Sequence, residues 1–465
     1  DTKEALSSLP TLSLDDIAPG MPNLEISHET VNGIDVYSHD VFLNGLSMVS
    51  LYFDSSRVPQ DKLHYITLLT SLLGTLDTEN YNSVELQYEI AKNTGGGLAF
   101  TTTTFPGDGT SEYEPKVCLS FITPSENLPQ TFELAEEIIN NTLFTNKEWI
   151  RMVLMQSEAA LQQQYATGLG TRASENLSAY MSESGRYMAE LSGYSYYKFI
   201  KSLNSNFDTM WNEISKSLQE VSDLIFNKNG LIAMYSGSIN DTEFFKEELL
   251  KMSEKLAVSK LPSETYSFEQ PDKNVAYAST AMVQTILLGS NFTSAGYEYS
   301  GKMMVLQKIL NMDYLWNKVR VSGGAYNVGV SISNDGTIIF QSSSDPNLKE
   351  TLDIFRGSVD YLRNFDATEA EMENYIIGVL GELQQLSTMG PLYEGDIAFN
   401  MYLSGMSEED LLLLESEVLS TTAEDIRNMA DMVEKALENS IYYVEGSKDK
   451  IAENSNLFTR TEFAE

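Results

Sequence analysis

The segment RVSGGAY, residues 320–326, combines residue types that could take part in a reaction. Arg320 supplies a planar, permanently charged fork of N–H donors that suits a carboxylate or a row of carbonyl oxygens. Tyr326 adds a hydroxyl group that can donate to an oxyanion as its charge develops. Gly323 and Gly324 permit unusual dihedrals and close backbone approach. A second interpretation stays open, in which a glycine-containing loop enters a strand and Arg320 forms a surface salt bridge.

The three histidines form no recognisable metal motif. A catalytic zinc ion usually takes three protein ligands, two of them histidines that share a helix face. After His64, the inverted zinc motif H-x-x-E-H would need glutamate and histidine where Thr67 and Leu68 stand. His28 and His39 flank a turn and could approach each other across a hairpin, but no cysteine lies near them in the sequence. We therefore interpret His64 as an ordinary helix residue and predict no metal bound by this chain.

Other catalytic motifs are missing or stand in the wrong context. The sequence contains no G-x-S-x-G nucleophile elbow and no complete phosphate loop of the form G-x-x-x-x-G-K-S/T. Gly168 and Gly170 imitate part of a dinucleotide-binding fingerprint, but they follow a helical stretch where that fingerprint requires a strand. The residues alone therefore nominate no self-sufficient catalytic centre.

Composition limits the partners of the chain. Its 465 residues carry a formal net charge of −37, which disfavours nucleic acid because phosphate binding needs clustered Lys and Arg. The acidic surface either serves solubility or steers basic peptides towards the chain. Cys118 is the single cysteine, so a disulfide framework is excluded. No apolar run approaches the ~18 residues of a membrane span, and with no export signal in view we predict a cytoplasmic location and no membrane partner.

The pattern along the chain predicts two α+β domains in tandem. Residues 1–20 are polar and contain prolines, which predicts a linker, and an opening at Asp1 without an initiator Met suggests a preceding segment. Residues 21–254 and 275–465 are the predicted units, and 255–274, which lacks periodicity, is the predicted interdomain linker. Strands precede and follow helices in each unit. This order predicts a mixed, mainly antiparallel sheet with helices packed on one face.

Hydrophobic periodicity places the individual elements. In the first unit it predicts a hairpin turn at Asn32-Gly33, strand-like segments over 36–56, 117–122 and 231–237, and helices from 59, over 84–92 and through 126–226. In the second unit it predicts strands at 277–292, 337–343 and 440–446, and helices at 299–315, 346–364, 368–388, 393–404 and 421–437.

The two predicted units can be aligned on shared landmarks. Gly95 and Gly323 lie 228 positions apart, and the helix-opening segments FTNKEW (144–149) and FDATEAEM (365–372) begin 221 positions apart. In both segments a small or polar residue precedes a glutamate, which is an N-terminal capping pattern. These spacings predict an internal duplication of about 220 residues.

Two blocks of sequence resemble a known family. The stretch LWNKVRVSGGAYNVG (315–329) and the block SDPNL (344–348) are similar to the presequence-protease, falcilysin-like branch of the pitrilysin/insulinase zinc metallopeptidases. LPTLSLDDIAP (9–19) resembles the segment that opens the second half of those proteins. The resemblance covers nearly the whole chain, in order.

This resemblance implies a specific role. In that family four related α+β domains form two halves around a chamber, and only the first domain keeps the zinc motif. The chain would then be a non-catalytic C-terminal half of a peptide-degrading enzyme. Arg320 and Tyr326 match the residues that hold the substrate backbone and stabilise the tetrahedral intermediate, and Gly323 and Gly324 would contact substrate. The implied partners are a peptide and the N-terminal catalytic half of the same polypeptide, which would hold the zinc; this chain itself would carry no cofactor.

Two other functions stay open at this point. The chain could be a separately encoded, non-catalytic partner or scaffold subunit of a related peptidase, or an unrelated hydrolase that works alone. A single longer reading frame with H-x-x-E-H upstream would favour the half-enzyme. A start codon at or near Asp1 would favour the subunit, and activity of the isolated chain would favour the hydrolase.

Overall fold

The computed structural model describes residues 13–14, 23–259 and 261–463. The predicted linker over 1–20 lies outside the described residues, apart from Ser13 and Leu14. No helix in the described ranges is long and apolar enough to cross a membrane.

The first unit contains a six-stranded sheet. Its strands are β1 (Ser27–Val31), β2 (Ile34–Asp40), β3 (Leu46–Asp54), β4 (Ala99–Pro106), β5 (Tyr113–Pro124) and β6 (Ile232–Gly237). They lie in the order β1-β2-β6-β3-β5-β4, and only β2 and β6 pair in parallel. Side chains along β3 alternate between buried and half-buried, as expected when one face of the sheet packs on the core.

The second unit repeats this plan. Its strands are β7 (Val275–Ser279), β8 (Gln284–Asn291), β9 (Asn327–Ile332), β10 (Thr337–Asp345), β11 (Ile441–Ser447) and β12 (Arg460–Phe463). They lie in the order β12-β7-β11-β8-β10-β9, with β7 parallel to both of its neighbours and the other pairs antiparallel. The last five strands of each order correspond one to one, which confirms the predicted duplication.

Helices fill the sequence between the strands of each unit. In the first unit they are α1 (Leu63–Leu72), α2 (Ser83–Asn93), α3 (Leu128–Asn141), α4 (Lys147–Ala166), α5 (Thr171–Met181), α6 (Glu183–Ser192), α7 (Tyr194–Ser205), α8 (Phe207–Ile225) and α9 (Thr242–Glu254). In the second unit they are α10 (Lys302–Ile309), α11 (Lys349–Arg363), α12 (Glu369–Thr388), α13 (Pro391–Leu403), α14 (Glu408–Leu419), α15 (Ala423–Asn428), α16 (Ala430–Glu438) and α17 (Lys448–Glu453).

Each unit has its own hydrophobic core between the sheet and its helices. Leu51 and Phe53 of β3 are fully buried in the first core, and Leu288 of β8 and Phe340 of β10 are fully buried in the second. The predicted α+β class is confirmed, since in each unit a mixed, mainly antiparallel sheet packs one face against helices of the same unit.

The other face of each sheet carries a helix from the opposite unit, which the sequence did not predict. Ala173 and Leu177 of α5 pack on the second sheet, against Val275, Tyr277, Leu287, Ile441 and Tyr443. Phe399 of α13 packs on the first sheet, with Phe105 and Met234. Because α5 and α13 hold the same place in the order of their units, the duplicated units exchange equivalent helices.

Polar contacts fix both exchanged helices at their N-terminal ends. The carboxylate of Glu445, on β11, accepts a hydrogen bond from the backbone N–H of Ala173 at 3.1 Å and others from Arg172 and Gly170. An anion at a helix N-terminus satisfies free N–H groups there. On the first sheet the charge lies on the helix instead, where Glu394 Oε1 contacts His39 Nε2 at 2.9 Å.

The predicted interdomain linker, 255–274, follows the surface of the first unit. Glu264 donates its backbone N–H to Ser56 O at 2.8 Å. The Tyr266 hydroxyl donates to Val58 O at 2.6 Å, and its ring stacks on Tyr187 with 5.8 Å between centroids. These contacts hold the linker against the first unit.

The sequence missed or merged several elements. The strand predicted over 277–292 is two strands, β7 and β8. The edge strands β4 and β9 were not predicted, because their threonine, glycine and asparagine residues break the apolar alternation. The helix predicted over 299–315 continues as a π-helix, Leu310–Val321, so Arg320 lies within a helix and not in a loop.

Candidate functional site

The π-helical segment Leu310–Val321 carries the candidate arginine in its last turn. The backbone N–H of Ser322 donates to Asn317 O at 3.0 Å, five residues back, as in a π-helix. Arg320 is half-buried, and its carbonyl accepts from Gly324 N at 2.9 Å. π-Helical geometry is rare and is frequently found at functional sites, so this conformation singles out the end of the helix.

The guanidinium of Arg320 lies between two aromatic rings. Its Cζ is 4.3 Å from the ring centroid of Trp316 and 5.6 Å from that of Tyr326. Cation–π contacts of this kind restrain an arginine without using its N–H donors. Among the described residues, no carboxylate forms an ion pair with Arg320, so the surface salt bridge considered above is not observed there. The donor fork is oriented and still available.

Tyr326 is 72% exposed and begins the edge of the second sheet. Its backbone N–H donates to Ser343 O at 3.2 Å, next to the first residue of β9. The backbone is therefore fixed while the side chain remains open to solvent. The structure brings Arg320 and Tyr326 together at one surface, adjoining an edge strand.

The two glycines between Arg320 and Tyr326 are needed for different reasons. A Cβ atom at Gly323 would lie 2.5 Å from Val319 O, so only glycine fits without a shift of the backbone. Gly324 has space around it, but its φ of +87° lies in the left-handed region that disfavours other residues. Together they allow the chain to leave the π-helix and enter β9 within one short turn.

The SDPNL block, residues 344–348, holds this turn in place through hydrogen bonds. The SDPNL block and the RVSGGAY segment are therefore in contact in the structure. Asp345 is fully buried and accepts hydrogen bonds from Ser342 Oγ at 2.8 Å and Thr351 Oγ1 at 2.7 Å. Burial raises the pKa of this carboxyl above its ordinary value, against the effect of these donors. Asn347 Nδ2 in turn donates to Gly323 O at 2.7 Å. The turn is thus anchored to a buried polar cluster.

Trp316 is a site residue that sequence reasoning missed. It is 43% exposed and stacks on Arg320, four positions further along the chain. An exposed tryptophan spaced at one helical turn from an arginine was the available signal. Hydrophobic periodicity did not indicate that the helix extends far enough to use it.

Structural contacts occupy the place where the family resemblance would put a zinc motif. His64 Nε2 lies 3.1 Å from Glu190 Oε1, and its ring packs on Phe199. Thr67 Oγ1 donates to Leu191 O at 2.6 Å, and Leu68 is fully buried. A threonine hydroxyl used in this way and a leucine cannot complete a zinc ligand set, so the residues do not fit a metal here.

The other two histidines, His28 and His39, each contact different residues and do not approach a common site. His28 stacks on Tyr37 with 4.4 Å between centroids, and its Nε2 contacts Asp35 Oδ1 at 2.9 Å. His39 is buried between Glu25 O and Glu394. Within the described parts of the chain, no group of three or more His, Cys, Asp or Glu side chains is arranged to hold a metal ion.

Comparisons with known proteins identify the family of this chain. The family model of the domain associated with M16 peptidases of subfamily C matches residues 1–203, and the model of the PreP C-terminal domain matches 275–445. Protein HypA of Clostridium perfringens is 34% identical over 98% of this chain and 47% of its own length. Presequence protease 1, chloroplastic/mitochondrial, of Arabidopsis thaliana is 26% identical over 98% of this chain and 43% of its own length.

These matches define the class of protein and then its branch. The fold is that of the M16 peptidases, which is the pitrilysin family. The chain belongs to this family and corresponds to the C-terminal half of a presequence-protease-like member. It spans less than half the length of the two relatives named above.

Solved structures show the same fold at low sequence identity. A protease from Helicobacter pylori aligns with a TM-score of 0.61 and 15% identity, over 91% of this chain and 99% of that one. A structure described as a peptidase M16 inactive domain from Pseudomonas fluorescens aligns with a TM-score of 0.59 and 14% identity, over 91% and 98%. Both alignments cover the two units together.

Proposed function

We propose that this chain is the non-catalytic C-terminal half of a zinc metalloendopeptidase that degrades peptides. In this role it closes the chamber and contributes Arg320 and Tyr326 to an active site in the N-terminal half. The zinc ion and the general base belong to that half. The observation that carries the proposal is the oriented guanidinium of Arg320, without an ion pair among the described residues, beside the exposed ring of Tyr326.

The geometry suits support of a transition state formed elsewhere. The Arg320 fork can hold backbone carbonyl oxygens of an extended peptide, and the Tyr326 hydroxyl can donate to the oxyanion of the tetrahedral intermediate. Gly323 and Gly324 leave the turn without side chains, so a peptide backbone can approach it closely. The role of this chain is to orient substrate and stabilise charge.

The test is peptide cleavage by this chain alone, by the preceding half alone, and by the two joined in one polypeptide with zinc. We expect activity only in the joined protein. Arg320→Ala and Tyr326→Phe should each lower kcat by about 10²-fold, since single donors to an oxyanion have effects of that size. Zinc-dependent cleavage by this chain alone, or full activity of both variants, would contradict the proposal.

Trp316 acts here as a positioning residue for Arg320. Replacement of the ring by leucine removes a cation–π contact, so we expect kcat/KM to fall about threefold to tenfold. The joined protein would be assayed with Trp316→Leu and with Met312→Leu, an exposed residue of the same segment that serves as the control. In an Arg320→Ala background the Trp316 change should have no further effect, and an equal loss there would contradict the positioning role.

A further inference from the structure

A pocket of about 430 Å³ lies beside α13 on the outer face of the first sheet, far along the chain from the candidate site. α13 packs over β2 and β6, and its Phe399 reaches β3 and β4, but the part of this face above Ser50 and Ser120 stays open. The floor comes from β3 and β5, one wall comes from α13, and the rim is the glycine run 95–97. The lining includes Ser50, Tyr52, Cys118, Ser120, Asp396 and Phe399.

The strand register explains why there is room for a ligand. Ser50 lies directly opposite Ser120, and Tyr52 lies opposite Cys118, so these side chains share one face. Two serines and a cysteine are too small to fill the space under the helix. The rim adds no side chains, because residues 95–97 are glycines. The space beside Gly96 is open, since a Cβ atom there would meet nothing within 4 Å.

Aromatic packing sets the position of the helix wall. Phe399 is buried, and its ring centroid lies 5.8 Å from that of Tyr52 and 5.9 Å from that of Phe105. Asp396 stands three positions earlier, on the same side of α13. The anchored phenylalanine therefore holds the carboxylate at the pocket wall.

Asp396 has no cation to balance it among the residues that the structure describes. Desolvation raises the pKa of its carboxyl, and no basic group opposes that effect. Lys116, the basic residue nearest along β5, is already committed, with Nζ 3.0 Å from Glu114 Oε2 and over the ring of Phe105. The carboxylate thus stands beside aromatic rings with its charge unpaired.

The pocket chemistry narrows the class of ligand. Burial raises the pKa of the Cys118 thiol to about 12, so it stays protonated and is unsuited to metal binding or nucleophilic attack. A carboxylate next to the rings of Tyr52 and Phe399 is the environment that an alkyl guanidinium or ammonium group prefers. An anion or an aliphatic group would leave Asp396 unpaired.

We propose that this pocket binds the basic side chain of an arginine or lysine residue in a peptide, with Asp396 as its counter-ion and Tyr52 and Phe399 against its stem. The inference rests on the proposed function for its source of ligand, because a peptide-degrading chamber supplies peptides. It deepens that function by assigning a preference for basic residues at a subsite remote from Arg320.

The equivalent place in the second unit shows that the pocket is not a by-product of the fold. There Leu177 and Tyr180 of α5 pack on Leu287 and Ile339, in an apolar contact between helix and sheet. The duplicated helix closes on its sheet in that unit. On the first sheet α13 instead brings Asp396 to the wall of an open pocket.

The experiment measures binding to the whole 465-residue chain and does not require cleavage. A fluorescent peptide with a single central arginine is compared, by anisotropy at about 150 mM salt, with the same peptide carrying neutral citrulline. We expect the arginine peptide to bind about tenfold more tightly, as befits a charge-assisted pair. Equal affinity of the two peptides would overturn the proposal.

Three variants locate the preference. Asp396→Asn should reduce it below about twofold, whereas Asp61→Asn, the same charge change at an exposed position outside the pocket, should preserve it. Gly96→Phe should abolish it by filling the pocket, and its backbone is not left-handed, so the variant can fold. A preference that survives in Asp396→Asn or in Gly96→Phe would place the site elsewhere and overturn the proposal.

The outcome is separable from that of the proposed function. Loss of the arginine preference in Asp396→Asn, together with an inactive joined protein, would retain the pocket and reject the peptidase role. An active joined protein whose C-terminal chain shows no arginine preference would retain the role and reject the pocket.

Discussion

The glycine turns at 95–97 in the first unit and 323–324 in the second hold equivalent places, each between a helix and the edge strand of its sheet. In the second unit the turn is flanked by Arg320 and Tyr326. At the aligned positions of the first unit stand Lys92, which is exposed and pairs with Glu89 at 3.5 Å, and Leu98, which packs against the core. The same backbone device thus carries a candidate site in one unit and ordinary surface and core residues in the other.

The different side chains at the two glycine turns show where the duplicated units have diverged. Strand order and helix order are kept, and so is the exchange of α5 and α13 between units. The changes lie in side chains at the turns and on the exchanged helices, where Leu177 in one unit faces a sheet and Asp396 in the other lines a pocket. The shared frame makes equivalent positions into natural controls for one another.

The largest expected effect concerns the anchors of the exchanged helices. Phe399→Ala and Leu177→Ala should lower the free energy of unfolding by about 4 and about 3 kcal/mol, because each leaves a cavity under a helix. Urea unfolding followed by circular dichroism measures both. Leu412→Ala, at an exposed leucine of α14, is the control and should cost less than about 0.5 kcal/mol. A cost below about 1 kcal/mol at either anchor would contradict the observed packing.

The next effect compares the two glycine turns. Gly323→Ala should destabilise the chain by about 2 kcal/mol, since the new Cβ atom would press on Val319 O. Gly96→Ala meets no atom within 4 Å and should be neutral. Thermal unfolding of both variants beside the wild type checks this difference. Equal melting temperatures for the two variants would show that the turns are not as different as described.

A smaller effect should appear in the pH dependence of stability. Desolvation raises the pKa of Glu445, against the backbone donors at the start of α5 and the charge of Arg172. The folded state therefore binds this proton more tightly than the unfolded state, and stability falls as pH rises from the unfolded value through the raised folded value. Glu445→Gln should remove that fall. Unfolding free energies from about pH 4 to 8 measure it, and parallel curves for the two proteins would refute it.

The smallest expected effect is at the position aligned with Arg320. Lys92→Ala should change stability by less than about 0.5 kcal/mol, because its pair with Glu89 is exposed. In the joined protein it should leave peptide cleavage unchanged, in contrast to Arg320→Ala. Parallel cleavage assays of the two variants make the comparison. A comparable loss of activity from Lys92→Ala would mean that both turns serve the reaction.

The sequence predicted what local patterns encode and missed what depends on distant contacts. The opening FDATEAEM forms a full capping box between Thr368 and Glu371, and FTNKEW places Asn146 as the cap of α4. The segment RVSGGAY was recognised from residue types and family resemblance. Its proposed catalytic role stays a prediction.

Long-range features left no local signal. Nothing in the apolar pattern of α13 distinguishes packing on its own sheet from packing on the other one, so the helix exchange could not be predicted. The stack of Trp316 on Arg320 depends on the π-helix. Hydrophobic periodicity predicted a helix that ends at residue 315, before either side chain. The pocket at Asp396 requires both the exchange and the strand register, and neither is visible in the sequence alone.

The exchange of α5 and α13 has a consequence for synthesis of the chain on the ribosome. When β6 has been made, the first sheet is complete, but its outer face stays bare until α13 is translated, after a delay of about ten to thirty seconds at ordinary elongation rates. The second sheet has no such delay, because α5 already exists when that sheet forms. During that interval the nascent chain exposes Tyr37, Tyr52 and Phe105 together, and this patch is where a ribosome-associated chaperone would be expected to bind.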